Sequence, residues 1–304
     1  MAQTILPSRA TEFHRSAEQT QGSRAGLIAL LAAPALFVTL FILLPLGIMF
    51  LYSFWTTEGS QIVPQWTLEH YQAYFSKRLF YAQSLKSLRV AAMVTGTCLL
   101  LAYPVSYFIA TRPARQRSIW LLLTTVPMWS SYIVRIYAWR TILGLDGVLN
   151  SALLSLGLLA EPSKSFSFNQ FAVYITLTNY LLPFMIVPLV STLEKIPPSI
   201  FQAARDLGSE PLDAFRRVLI PLSLPGVFVG CLNVFIVALA DYLTPALVGG
   251  TDGVMIGNVI QSEFGASFNW PLGAAATYVT AAIAMILILT LRWLTHRRAK
   301  EVKF

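Results

Sequence analysis

Charge is the scarcest commodity in this 304-residue chain: Asp, Glu, Lys and Arg make up 12% of it, against 56% hydrophobic residues. A soluble domain carries about twice that charged fraction. The deficit is not spread evenly, because whole stretches of chain hold no charge at all, as a bilayer requires. Only two cysteines occur, Cys98 and Cys231, both inside apolar runs. They read as small buried hydrophobes rather than as a disulfide or a metal site. The three histidines, His14, His70 and His296, are scattered outside the apolar runs. No Ser/His/Asp set, carboxylate pair or G-x-x-x-x-G-K-[S/T] phosphate loop is present. Nucleophilic catalysis, metal catalysis and ATP hydrolysis by this chain are therefore not expected, and neither a metal nor a cofactor is expected.

What is present is a series of long apolar runs. A hydrocarbon core of about 30 Å takes about 20 apolar residues as a helix, and only helices or closed barrels satisfy the backbone there. These runs are too long and too uniformly apolar for barrel strands. Six spans are predicted, at roughly 27–54, 88–111, 119–143, 170–192, 222–244 and 272–293. The polar segment before the first run is too long for a signal-peptide n-region, so that run is expected to be a retained span. The expected organisation is a disordered tail over 1–25, a six-helix transmembrane domain over 26–296 and a short tail over 297–304.

The basic residues set the orientation. With the N-terminus in the cytoplasm, fifteen of the 22 Lys and Arg residues fall on that side. They lie before the first run, at 112–117, at 195–217 and after the last run, while 245–271 contains none. Trp55, Trp66, Trp139 and Trp270 then fall at outer interfaces, and Trp120 and Trp293 at inner ones, as aromatic belts do. The positive balance of +8 is thus membrane topology, not a nucleic-acid footprint, and no nucleic-acid partner is expected. The expected location is a bacterial inner membrane, multi-pass, with both termini cytoplasmic.

The loop over 197–221 is not an ordinary connector. Pro197 and Pro198 end the fourth span, and Ile200, Ala203, Ala204 and Leu207 follow at helical spacing. Gly208 is placed to stop that helix in a left-handed conformation. Ser209 is placed to cap a second helix with Glu210 and Asp213 in its first turn. Leu212, Phe215 and Leu219 give that helix an apolar stripe, Arg216 and Arg217 its last turn, and Pro221 closes the unit. Apolar side chains without a core of their own mark either a docking surface or an amphipathic pair lying on the membrane.

Gln202-Ala203-Ala204, then Gly208, then Val218-Leu219-Ile220-Pro221 resembles the EAA motif of ABC-importer permeases, E-A-A-x-x-x-G, nine residues, then I-x-L-P. Every spacing agrees, and Gln202 is uncharged where the motif has Glu. The segments Trp129 to Trp139, Gly144 to Asn150, Ala240 to Gly250 and Met255 to Asn258 are similar to the polyamine-permease branch, which includes the PotB-type spermidine/putrescine subunits. The resemblance implies an all-α integral membrane fold of the type I ABC importer permease kind. It implies a soluble solute-binding protein, a second permease subunit and an ATPase subunit dimer as partners, with ATP bound by the ATPases. It further implies that Gln202, Ala203, Ala204, Asp206, Leu207, Gly208, Leu212, Phe215 and Pro221 form the coupling element that docks on an ATPase. Relatives in the branch are also assigned to opines and other amino-acid derivatives. A self-contained secondary carrier is the alternative machinery, but carriers usually have more spans and inverted repeats.

Charge within a span suggests function. Arg135 either snorkels to the outer headgroups or lines the pathway, whereas Arg140 is expected to snorkel. Asp241, near the outer end of the fifth span, either pairs with Arg135 or attracts a cationic solute. A polyamine needs carboxylates and aromatic faces, which Asp241, Glu263, Tyr132, Trp139 and Tyr242 supply. Asn233 is expected to hydrogen-bond between helices rather than to contact solute.

Overall fold

The computed structural model describes Gly26 and residues 30–301 other than Ser60 and Leu207. The tail assigned to 1–25 lies outside the described residues.

Five helices are long and apolar enough to cross a bilayer, and a sixth crossing is a bent pair. The first, α1 (Leu30–Tyr52), has no buried residue in its apolar stretch. It meets the rest of the fold near its C-terminal end, where Phe50 packs edge-on against Tyr278 at 5.1 Å and Tyr278 donates to the Leu46 carbonyl. A short hairpin follows, β1 (Thr56–Glu58) and β2 (Gln61–Val63), with Thr56 opposite Val63. It leads through α2 (Glu69–Ser76) into α3 (Arg78–Ala110).

The expected span over 119–143 is not one helix. It is α4 (Ala114–Thr125), a 3-10 turn (Val126–Trp129) and α5 (Tyr132–Leu143), and the two arms meet at 88°. Pro127 lacks the N–H that would continue the helix, and Ser130 is extended, with ψ 149°. A short helix, α6 (Val148–Ser155), continues the second arm.

α7 (Gln170–Leu193) runs unbroken through Pro183 and Pro188 and packs with α3 and with α10 (Ile220–Ala240) as the centre of the fold. Val94, Cys98 and Ala102 of α3, Leu177, Leu181 and Met185 of α7, and Val234 and Ala238 of α10 are buried there. Small residues let the backbones approach. A Cβ on Gly226 would lie 2.9 Å from the Pro188 carbonyl, and one on Gly230 2.5 Å from Met185 Sδ. This is the small-residue packing of membrane helices. Gly226→Ala should therefore cost about 1–3 kcal/mol as an overpacked contact. Thermal denaturation of the detergent-purified protein checks this, and an unchanged midpoint would show that α7 and α10 separate freely.

Between α7 and α10 lie α8 (Pro198–Asp206) and α9 (Pro211–Ala214). Here the structure corrects two expectations. The second helix starts at Pro211, not after Ser209, because proline suits the first helical position and needs no N–H partner there. Pro221 does not close the unit either, since α9 passes through a π-turn (Phe215–Leu219) directly into α10. In that turn Ile220 N–H bonds the Phe215 carbonyl, five residues back. The wider turn accommodates a proline that would otherwise clash with the carbonyl four residues earlier. Leu212–Ala240 is thus one continuous rod.

The fifth span ends at Ala240, four residues before its expected limit, and Asp241 is extended, with ψ 127°. Then come α11 (Leu243–Val248), α12 (Ile256–Gly265) and α13 (Trp270–Glu301). α13 runs on through most of the tail expected from 297.

Candidate functional site

Two places in the fold combine unusual backbone with chemistry. The first is the corner between α8 and α9. Gly208 has φ +79°, and Ser209 N–H bonds the Ala204 carbonyl five residues back at 3.0 Å. That bond and the left-handed glycine are the marks of a Schellman helix end, in which glycine carries no Cβ penalty. Ala204 and Ala214 are buried, whereas Gln202 and Asp206 are exposed. Leu212 is 57% exposed. Phe215 is half-buried against Tyr103 of α3, edge-on at 5.7 Å. Asp213 pairs with Arg217 at 3.5 Å. Leu207 and the Ala203 side chain lie outside the described residues. The corner is joined to the bent crossing by an ion pair at its root, Arg117 Nε to Glu194 at 3.3 Å.

The second place is a polar and aromatic cluster at the break between α4 and α5. Tyr132, Arg135 and Trp139 recur at helical spacing along α5 and lie on one face. Tyr132 donates to Asp241 Oδ2, as does the Thr244 hydroxyl at 2.5 Å. Asp241 Oδ1 accepts from the Leu243 and Thr244 N–H groups at 2.9 and 3.3 Å, so the carboxylate also caps α11. The Tyr132 ring lies 4.5 Å from that of Tyr180, and Phe184 extends the aromatic row. Arg135 sits 5.0 Å over Tyr180. Its guanidinium donates to the Pro127 and Ser130 carbonyls at 2.6 and 3.0 Å. It thereby ties α5 to the break, adding to the bonds that the Pro127 carbonyl accepts from the Ser130 N–H and hydroxyl. Trp139 Nε1 donates to Asn179 Oδ1 at 3.1 Å. Tyr180 is ten residues into α7, or about 15 Å at 1.5 Å per residue, near the middle of a bilayer.

Of the two alternatives for Asp241, the pairing with Arg135 is not formed among the described residues, each being held by neutral groups instead. Nor does a hydrogen bond, ion pair or ring contact among the described residues bring the Asn233, Tyr242 or Glu263 side chains into this cluster. Asn233 is half-buried on α10, Glu263 half-buried on α12 and Tyr242 46% exposed. Sequence reasoning missed Asn179, Tyr180 and Thr244. Asn179 was visible as a polar group inside an apolar run. Tyr180 and Thr244 carry no such signal, since both types are ordinary in membrane helices.

The model of the binding-protein-dependent transport system inner membrane component family matches residues 21–300. The chain belongs to that family. The permease is 38% identical over 261 residues to the spermidine/putrescine transport system permease protein PotB of Escherichia coli (strain K12), covering 86% of this chain and 94% of that one. It is 36% identical over 250 residues to PotB of Haemophilus influenzae, covering 82% and 86%. Its fold is that of a bacterial ABC transporter involved in the import of the acidic polysaccharide alginate. The TM-score is 0.70 at 17% identity, over 93% of this chain and 99% of that one. The named relatives are transport permeases, not enzymes.

Proposed function

We propose that this permease forms, with a second permease subunit, the path by which a polyamine or related organic cation crosses a bacterial inner membrane. A soluble binding protein delivers the solute, and an ATPase pair drives the cycle through the α8–α9 corner. The observation that carries this reading is identity to PotB along nearly all of that protein's length, together with a coupling corner whose spacing suits the EAA motif. The excess of Lys and Arg at 112–117 and 195–217 supports both termini lying in the cytoplasm, on the ATPase side.

In this reading the solute passes the cluster at the α4–α5 break. Tyr132, Tyr180 and Trp139 offer aromatic faces to an ammonium group, and Asp241 supplies negative charge that no cation neutralises within the described residues. Irregular backbone at membrane depth is tolerated where it lines such a cavity. Asn233, Tyr242 and Glu263 lie further along the path.

The deciding experiment is ATP-driven uptake of labelled spermidine and putrescine by the complex in liposomes loaded with ATP and supplied with the cognate binding protein. Uptake of neither, with transport of another solute, overturns the polyamine assignment. Within that assay, Tyr180→Leu removes one cation–π face worth about 0.5–2 kcal/mol and should lower the maximal rate at least about twofold. An unchanged rate would place Tyr180 outside the path.

One observation favours a second solute class, the amino-acid derivatives. Arg135 has no acidic partner among the described residues, so its positive charge at the cluster is available to a carboxylate. Calorimetry of the binding protein with polyamines and with opines separates the two.

A further inference from the structure

Outside the cluster and the corner, an apolar groove of about 550 Å³ lies between the last turns of α3 and α4. Pro104, Val105 and Phe108 form one wall, and Trp120, Leu123 and Thr124 the other. The Thr124 hydroxyl is turned to its own helix, donating to the Trp120 carbonyl at 2.8 Å, so the walls present no free polar group of their own. The groove faces outward from the bundle, with Leu123 56% exposed.

Its mouth is the opposite of apolar. α3 ends at Ala110 and α4 begins at Ala114, so the turn between them is three residues long. Arg112 of that turn lies 4.1 Å over the Phe108 ring, and Trp120 stands edge-on to the same ring at 5.5 Å. Arg115 is exposed one turn away. The third basic residue, Arg117, is taken by Glu194, whereas Arg112 and Arg115 have no ion-pair partner among the described residues. From His70 to Leu145 the chain contains no acidic residue. The residue before α4 is Pro113, which offers no side-chain acceptor to the first-turn N–H groups. A helix start of this kind favours an anion.

We propose that this groove binds one anionic phospholipid, with an acyl chain along its walls and the phosphate at Arg112, Arg115 and the start of α4. Basic pockets between membrane helices at the headgroup level take anionic lipids, and Trp120 sits at the depth where indoles anchor. The site requires only that the turn meets a membrane surface, and the orientation proposed above makes it the inner leaflet. A zwitterionic phosphatidylethanolamine brings its own ammonium against two unpaired arginines and binds less well. The first span of a second copy fits poorly, because from Gln19 to Thr57 its only charged residue is Arg24, another cation.

The test is native mass spectrometry of the full chain purified with its partner permease and ATPases, exchanged into detergent doped with phosphatidylglycerol or phosphatidylethanolamine. The complex should retain phosphatidylglycerol about 25-fold better, and Arg112→Gln with Arg115→Gln should abolish the preference, each of the two cations being worth roughly a fivefold factor. Arg112→Lys should keep most of it, and Arg216→Gln, on the other side of the coupling corner, all of it. Quenching by brominated phosphatidylglycerol should fall in Trp120→Phe more than in Trp66→Phe. Equal retention of the two lipids by the unaltered complex overturns the proposal. So does a preference that survives the double substitution, or efficient cross-linking of Leu123→Cys to the second permease in place of lipid.

Discussion

Gly208→Val should give a permease that inserts, folds and assembles, yet imports at no more than about a tenth of the normal rate while its ATPases keep turning over. Gly208 has φ +79°, a region in which a β-branched residue is a steric outlier. No atom lies within 4 Å of where a Cβ on Gly208 would sit, so the substitution creates no clash with the rest of the fold. The penalty is confined to the corner, at about 1–3 kcal/mol of backbone strain. The chain escapes that strain by leaving the left-handed conformation, which swings α8 relative to the rod that begins at Pro211. If the corner docks on an ATPase as proposed, a lever re-aimed in this way no longer seats squarely, and a misfit of 1.4 kcal/mol is already about tenfold in docking. The measurement is uptake beside ATP hydrolysis in the same liposomes. Gly208→Ala, with a smaller penalty at positive φ, should fall between valine and glycine. Normal coupling in Gly208→Val would remove the corner from the drive mechanism.

The corner was legible in the sequence because its chemistry is local. A glycine ten residues after two prolines, followed by Ser, Glu and Pro, specifies a helix end and a new start with little help from the surroundings. The membrane runs were legible because a 30 Å core demands length and apolarity, both of which are composition. Apolarity, however, is blind to continuity. The run over 119–143 is apolar on both sides of its 88° bend, and the break is written only in Pro127 and the Ser130-Ser131 pair. Four other spans carry interior prolines and remain straight enough to count as single crossings: Pro34 and Pro45 in α1, Pro104 in α3, Pro183 and Pro188 in α7, and Pro225 in α10. What separates them is tertiary. Arg135 reaches back to hold the carbonyls at Pro127 and Ser130, and no local rule announces a partner eight residues away across a bend. Pro221 failed for a related reason, since a π-turn is a property of the backbone ladder and has no residue signature. The Asp241 cluster likewise assembles three elements far apart in sequence, so residue type suggested Tyr132 and Asp241 while only the fold could add Tyr180 and Thr244.

The second large effect is expected at Asp241, and the contrast between two substitutions carries it. The carboxylate receives Tyr132, Thr244 and two backbone N–H groups, with no cation. Asp241→Ala leaves those donors unpaired at 9% exposure, at about 1–3 kcal/mol for each buried group that finds no new partner. It should lower the thermal midpoint and uncap α11. Asp241→Asn is different. Its oxygen still accepts from Leu243 and Thr244, and its amide donates to hydroxyl oxygens that turn to accept. The fold should hold within a few degrees, but the negative charge is gone. A unit charge about 6–8 Å from a passing ammonium, at an effective dielectric constant of about 20, contributes about 2–3 kcal/mol. Cation uptake in the asparagine variant should therefore drop at least about tenfold. The two readings of Asp241 part at this point. A purely structural carboxylate predicts a damaged alanine variant beside an asparagine variant that imports normally. A carboxylate that also serves the cation predicts two slow variants, of which only alanine is unstable. Uptake rate and thermal midpoint, measured on the same preparations, distinguish them, and a fully active asparagine variant would confine Asp241 to holding α5 against α11.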